Sequence, residues 1–162
     1  MPQSEPDQRK KAEDFLGLHH ASRPFVLGNA WDVASARIFE LAGFRAIGTT
    51  SAGIAATLGF PDGQHITVQD TAEVVRRMVK RVAVPVSADI EAGYASSVEG
   101  VVESARVVLQ AGAVGINIED STSDPENPLI DPMFRSETIS AIRRMAADDD
   151  IRLVINARTD TF

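Results

Sequence analysis

Acidic residues recur at the ends of short apolar runs in this chain, and their spacing points to a metal site. Asp89 and Glu91 follow one run, and Glu119 follows another. Residues two apart on an extended strand share one face, where two acids repel each other unless a cation or a proton compensates. The acids therefore predict a Mg2+ site, with Mn2+ as a substitute ion, because Mg2+ prefers oxygen ligands and keeps several waters. The alternative is a solvated strand end with scattered acids.

An arginine follows the last apolar run. Arg158 shares a predicted strand face with Asn156. A planar, permanently charged guanidinium group suits a substrate carboxylate or phosphonate, so Arg158 is a candidate catalytic and substrate-binding residue. The alternative is a structural ion pair with Asp120 or Asp160.

Small and hydroxyl-bearing residues follow the second apolar run. Thr50, Ser51 and Ala52 offer hydroxyl groups and accessible backbone amides that can bind an anion, although such loops are also common as plain turns. Asp62 precedes a glycine, a pair more typical of a turn than of a catalytic acid. Tyr94 flanks the predicted mouth of the site, where an aromatic residue serves packing at least as often as binding.

These polar clusters need a scaffold that brings chain-distant residues together. The apolar runs predict strands, and helical spacing predicts a helix after each run except the last. Parallel strands that alternate with helices place all their carboxyl ends on one side of the sheet, where such folds bind ligands. The predicted strands are 25–29, 46–50, 84–89, 114–118 and 151–155, and a further helix is predicted over 12–22.

The length of the chain predicts an incomplete barrel. The fold class is α/β, and a strand–helix repeat of about 30–40 residues fits a (β/α)8 TIM-type barrel. Such a barrel needs about 250 residues, whereas the sequence has 162, so only the first five βα units are expected. We expect residues 1–11 to be a flexible N-terminus and residues 12–162 to be a partial barrel domain, truncated after strand five.

Composition argues against several classes of function. The formal net charge is −7, which disfavours a nucleic-acid partner because there is no basic stripe to meet phosphates. No apolar run is long enough to cross a membrane and no secretory signal is recognisable, so no membrane partner and a cytoplasmic location are expected. The sequence has no cysteine, which removes disulfides and thiol nucleophiles. Zinc is disfavoured because no histidine stands at a predicted strand end.

Four motifs occur in order along the chain. They are Thr50-Ser51-Ala-Gly-Ile-Ala-Ala-Thr-Leu-Gly-Phe-Pro-Asp62, Asp89-Ile-Glu-Ala-Gly-Tyr94, Asn117-Ile-Glu-Asp120 and Asn156-Ala-Arg-Thr-Asp160. Together they resemble the isocitrate lyase/phosphoenolpyruvate mutase superfamily. The resemblance implies a (β/α)8 barrel that uses Mg2+ to cleave or rearrange C–C or P–C bonds of a small 2-oxo acid through a metal-stabilised enolate. Full-length relatives of this kind are expected to be homo-oligomers.

The resemblance also implies roles for individual residues. Asp89 resembles a direct metal ligand, and Glu91 and Glu119 resemble acids that hold the metal mainly through water. Arg158 resembles the arginine that grips the substrate, and Asp62 falls on an acid near the reacting group. The residues expected to bind the substrate are Thr50, Ser51, Ala52, Asn117, Asn156 and Arg158.

The sequence departs from the family pattern at two places. The usual Asp-x-Asp is Asp89-Ile-Glu91 here, a longer acid that is expected to shift the water shell. The lyase branch carries a catalytic cysteine in the loop after strand four, and this loop, residues 121–132, has none. Isocitrate or methylisocitrate cleavage is therefore not expected, and mutase-, decarboxylase- or hydrolase-like chemistry is left. The alternative is an inactive fragment or a non-catalytic 2-oxo acid-binding barrel remnant, and we expect little activity from the 162 residues alone.

Overall fold

Five parallel strands form one sheet in a computed structural model that describes residues 5–122 and 124–160. The strands are β1 (Gly28–Ala30), β2 (Ile47–Thr49), β3 (Val86–Asp89), β4 (Gly115–Glu119) and β5 (Val154–Arg158). Their order in the sheet is that of the chain, β1-β2-β3-β4-β5. All four pairings are parallel, as the alternation of strands and helices predicts.

Six helices connect or precede these strands in the described residues. They are α1 (Glu5–His19), α2 (Val33–Leu41), α3 (Ser51–Thr57), α4 (Val68–Val79), α5 (Val98–Gln110) and α6 (Pro132–Asp148). The side chains of Asp32, Thr67 and Ser97 each accept a backbone N–H at the start of α2, α4 and α5, which satisfies donors that a helix leaves unpaired.

Two elements differ from the sequence-based expectations. The helix predicted over 12–22 spans Glu5–His19, so residues 5–11 of the predicted flexible N-terminus are helical, while residues 1–4 lie outside the described residues. The Gln8 side chain explains the earlier start, because its amide donates to the carbonyls of Leu109 and Ala113. Local sequence does not show such a long-range contact. The stretch after β2, predicted as a long loop, begins with α3, whose Ile54 is fully buried.

The core lies between the sheet and the helices that cover it. Ile47, Ile116, Met78 and Val108 are among its fully buried side chains. The inner strands β3 and β4 are buried along nearly their whole length, whereas β5 is exposed from Asn156 onward. In the part of the chain described, none of the helices is long and apolar enough to span a membrane.

The strand register determines which polar residues become neighbours. Asp89 on β3 is paired with Asn117 on β4, and Asn117 is paired with Asn156 on β5. Glu119 is paired with Arg158 one layer further along the strands. Because the strands are parallel, these residues all lie at the carboxyl edge of the sheet, as predicted.

Candidate active site

Asp89 is the most completely hydrogen-bonded acid at this edge. It ends β3 and is only 8% exposed. Its Oδ2 accepts the backbone N–H and the hydroxyl of Ser51, at 2.9 and 2.7 Å. Its Oδ1 accepts Asn117 Nδ2 at 3.0 Å and, more weakly, the Glu91 N–H at 3.3 Å.

Asn117 joins the side chains of three strands. Its Nδ2 donates to Asp89 Oδ1 and also to Glu119 Oε1, at 3.0 and 3.2 Å. Its Oδ1 accepts Asn156 Nδ2 at 2.7 Å. One half-buried amide therefore holds two acids side by side and ties them to β5.

Glu91 lies just beyond β3 in a left-handed backbone conformation, with φ of 50°. It is 7% exposed, and its carboxylate accepts the Gln64 N–H at 2.7 Å and the Tyr94 hydroxyl at 3.1 Å. Burial raises the pKa of Glu91, and the nearby charges of Asp62 and Asp89 raise it further. Asp62 therefore belongs to the neighbourhood of Glu91. It is itself exposed and uses its own carboxylate to accept a backbone N–H in a turn.

Glu119 and Arg158 form an ion pair across β4 and β5. Arg158 Nη1 lies 2.5 Å from Glu119 Oε1, and its Nε and Nη2 both lie 2.8 Å from Asp160 Oδ1. The Arg158 side chain is 48% exposed, whereas that of Glu119 is 11% exposed. Burial raises the pKa of Glu119 to about 6, and the negative charge of Asp89 adds to the effect. Arg158 thus forms the ion pair with Asp160 that the sequence offered as an alternative, and it also contacts Glu119 beside Asp89.

The predicted anion-binding loop is occupied by protein contacts. The Thr50 hydroxyl accepts the Gly53 N–H at the start of α3. Both polar groups of Ser51 are used by Asp89, and Ala52 is exposed. Ser51 therefore positions Asp89, while the Ala52 amide stands at the exposed first turn of a short helix.

The acids suit a hydrated magnesium ion better than a closed metal cage. Among the described residues, no three His, Cys, Asp or Glu side chains are grouped closely enough to hold an ion together. Asn117 instead joins Asp89 to Glu119, and the backbone N–H of Glu91 donates to Asp89, so the three acids are neighbours without forming a closed cage. A divalent cation would relieve the burial of these charges, and Mg2+ needs few direct protein ligands because it keeps its waters. The donor set therefore fits Mg2+ held by Asp89 and, through water, by the two glutamates.

Arg135 is a residue that the motif analysis missed. It comes from α6, is 8% exposed, and donates through Nη2 to the carbonyls of Ala92 and Glu119. Burial lowers the pKa of its guanidinium group, and within the described residues its Nε and Nη1 have no hydrogen-bond partner. One signal was present in the sequence, because Arg135 shares the spacing of Thr138, Ile142 and Met145 on the buried face of α6.

Comparison with known proteins finds enzymes that are named for small acids among the relatives of this chain. A family model described as phosphoenolpyruvate phosphomutase matches residues 15–162. An oxaloacetate decarboxylase of Rhodopseudomonas palustris is 36% identical over 117 residues, which cover 71% of this chain and 39% of that protein. A 2-methylisocitrate lyase of Escherichia coli is 31% identical over 132 residues, which cover 78% of this chain and 45% of that protein.

Solved structures give the same result for the fold. The crystal structure of a protein of Burkholderia cenocepacia, provisionally assigned as a phosphonomutase, superposes with a TM-score of 0.88 at 36% identity. The match covers 94% of this chain and 60% of that one. The neighbouring structures are TIM-barrel-type members of one superfamily, so the predicted fold class is confirmed. The chain spans about half the length of the curated relatives it matches.

Proposed function

Since the chain belongs to the isocitrate lyase/phosphoenolpyruvate mutase superfamily, we propose that it acts on a small 2-oxo acid in a Mg2+-dependent cleavage or rearrangement of a C–C or P–C bond. The observation that carries this proposal is the network of Asp89, Asn117 and Glu119 at adjacent strand ends, with Arg158 beside it. Buried acids that are held together in this way lower the stability of the apo protein unless a cation joins them.

Each residue of the network has a distinct proposed task. Asp89 would hold Mg2+, and Glu91 and Glu119 would hold its waters, because the three acids are buried and close enough for their charges to act on one another. When bound, Mg2+ supplies positive charge beside the 2-oxo oxygen, where negative charge builds as the neighbouring bond breaks. Asn117 keeps two of the acids at a fixed separation.

Arg158 is the proposed clamp for the substrate carboxylate. Its guanidinium group is half-exposed and is held by Glu119 on one side and Asp160 on the other. A substrate carboxylate can take the place of Asp160, because surface ion pairs are weak and a bidentate arginine–carboxylate contact is stronger. Asn156, which is also exposed, offers a neutral amide next to the same position.

The substrate we propose to test first is oxaloacetate. The loop 121–132 has no cysteine to serve as a proton donor in the lyase manner. Over the residues it matches, the oxaloacetate decarboxylase relative is 36% identical to this chain, against 31% over a longer match for the 2-methylisocitrate lyase. Decarboxylation leaves the same 2-oxo acid end in substrate and product. The contacts of Arg158 and Asp89 can therefore persist through the reaction.

The test is pyruvate formation from oxaloacetate with Mg2+ and with EDTA, against a protein-free reaction at the same Mg2+ concentration. Asp89→Asn should abolish both turnover above this background and Mg2+ binding measured by titration calorimetry. Glu103→Gln is the matched control, since it neutralises an exposed acid on α5, away from the site. Turnover that resists EDTA would refute the metal-dependent reaction. Binding of oxaloacetate without turnover would favour a non-catalytic binding protein instead.

A further inference from the structure

Three residues with unusual backbone conformations meet beside the site. Gln64, Glu91 and Tyr94 have φ angles of 60°, 50° and 59°. Only one other non-glycine residue of the described chain, Asp150, has a positive φ. L-residues avoid this region because the Cβ atom crowds the backbone, so such residues persist only where the surroundings hold them. Three such residues in mutual contact indicate that the surrounding contacts hold this part of the backbone in place.

Hydrogen bonds join these three residues into a closed group, which we call the clasp. The Gln64 N–H donates to Glu91 Oε2 at 2.7 Å, and the Tyr94 hydroxyl donates to Glu91 Oε1 at 3.1 Å. The Tyr94 N–H donates in turn to Gln64 Oε1 at 2.8 Å. Both carboxylate oxygens of Glu91 are therefore held by residues of the clasp.

The clasp connects two segments that are otherwise separate. Gln64 belongs to the loop between α3 and α4, which also carries Asp62, whereas Glu91 and Tyr94 follow β3. In addition, the Tyr94 hydroxyl lies 3.2 Å from the hydroxyl of Thr71, which is fully buried on α4. A phenol that served packing alone would not need a carboxylate partner inside the protein. Its hydroxyl group is directed at the acid that borders the site.

We propose that Gln64 and Tyr94 are positioning residues that hold the Glu91 carboxylate in the orientation used to bind Mg2+ through water. By the same contacts they tie the loop carrying Asp62 to the segment that follows β3. This inference rests on the proposed function for its metal, but the clasp itself is independent of it. A longer acid than aspartate is useful here, because the added methylene lets the carboxylate reach the Gln64 N–H as well as the tyrosine.

The experiment compares Tyr94→Phe with Thr71→Val. Both variants lose the hydrogen bond between Tyr94 and Thr71, but only Tyr94→Phe loses the bond to Glu91. Amide hydrogen exchange at Gln64 reports the clasp without any ligand, and titration calorimetry with MgCl2 reports the metal. We expect Tyr94→Phe to speed exchange at Gln64 and to weaken Mg2+ binding, each by about tenfold or more, as for the loss of one hydrogen bond to a charged group. Thr71→Val should change both by less than about twofold.

A second variant keeps the test decisive if Tyr94→Phe folds poorly. Gln64→Gly suits the positive φ and keeps the N–H donor to Glu91, but removes the acceptor of the Tyr94 N–H. Faster exchange at the Tyr94 amide, with weaker Mg2+ binding, would support the clasp. Equal effects of Tyr94→Phe and Thr71→Val would overturn it, because the tyrosine would then act only through its contact with α4. If the unaltered protein does not bind Mg2+, the proposed function fails, while the exchange rates still decide whether the clasp exists.

Discussion

The carboxyl edge of the sheet has two regions that differ in burial and in how their polar groups are satisfied. At the carboxyl ends of the inner strands β3 and β4, Asp89 and Glu119 are at most 9% exposed. Ser51 donates to Asp89, and Asn117 donates to Glu119. At the outer end of β5, the Arg158 side chain is 48% exposed and shares its donors between two acids. The acids of the inner region therefore have their hydrogen-bond partners within the protein, whereas the arginine of the outer region can exchange an ion-pair partner for a ligand.

The difference follows from the position of the strands in the sheet. β3 and β4 each pair with a neighbour on both sides, and Arg135 of α6 donates to the carbonyls of Ala92, just after β3, and of Glu119, at the end of β4. β5 pairs with β4 alone in the described sheet. A buried polar group must find its partners inside the protein, while an exposed one can use water. Substitutions in the inner region should therefore change stability as well as Mg2+ binding, whereas substitutions in the outer region should change substrate binding with little change in stability.

Apart from the loss of metal binding expected for Asp89→Asn, the largest effect should come from Arg158→Lys in the outer region. A lysine keeps the charge but cannot form the bidentate contact, so turnover should fall by about 100-fold, as expected when a reacting group is misplaced by about 1 Å. The melting temperature should stay nearly constant, because exposed ion pairs contribute little to stability. Arg152→Lys, at an exposed position just before β5, is the control, because it makes the same replacement away from the proposed clamp. If Arg158→Lys instead lowered the melting temperature strongly and left turnover unchanged, the outer region would serve stability and not ligand binding.

Asp89→Ala should give the next largest effect, and in the inner region it should appear as lost stability. The substitution leaves the Ser51 and Asn117 donors without their acceptor, which should lower the free energy of unfolding by about 2 kcal/mol in urea denaturation. The loss of stability is limited because removing the Asp89 carboxylate also removes its repulsion with the neighbouring acids. Asn156→Ala, which removes an exposed amide of β5, should cost less than about 0.5 kcal/mol. Similar losses for both substitutions would contradict the comparison.

Much of this edge could be predicted from the sequence, because it depends on local pattern and on topology. The alternation of apolar runs and helices predicts a parallel sheet, and a parallel sheet brings Asp89, Asn117 and Glu119 to one edge. The ion pair of Arg158 with Asp160 was also anticipated as an alternative. What local pattern does not show is which donors are already used, so the engagement of Ser51 by Asp89 was missed.

Other features depend on contacts between distant parts of the chain. Gln8 lies about 100 residues from its partners, Leu109 and Ala113, so the contact that anchors the start of α1 cannot be seen in the local sequence. Arg135 sits among apolar positions of α6, where a charged side chain is unusual, and only the fold shows that it binds two strand-end carbonyls. Tyr94 was expected to serve packing at least as often as binding. Its hydroxyl contact with Glu91 needs the left-handed turn that the sequence alone does not indicate.

The smallest predicted effect is a pH dependence of stability that originates at Glu119. Its pKa is about 6 in the folded protein, above its ordinary value of 4.5, so between these values the folded state binds more protons than the unfolded state. Stability should therefore fall as pH rises from about 4.5 to about 6, by about 1–2 kcal/mol, and stay reduced above that range. Carboxylates with lowered pKa, such as Asp70, work in the opposite direction, so urea denaturation must compare the protein with Glu119→Gln, in which this contribution is absent. The difference should shrink when Mg2+ is added, because a cation beside the carboxylate lowers its pKa. If the difference in free energy of unfolding between the protein and Glu119→Gln did not vary with pH, Glu119 would titrate like an exposed acid in the folded protein.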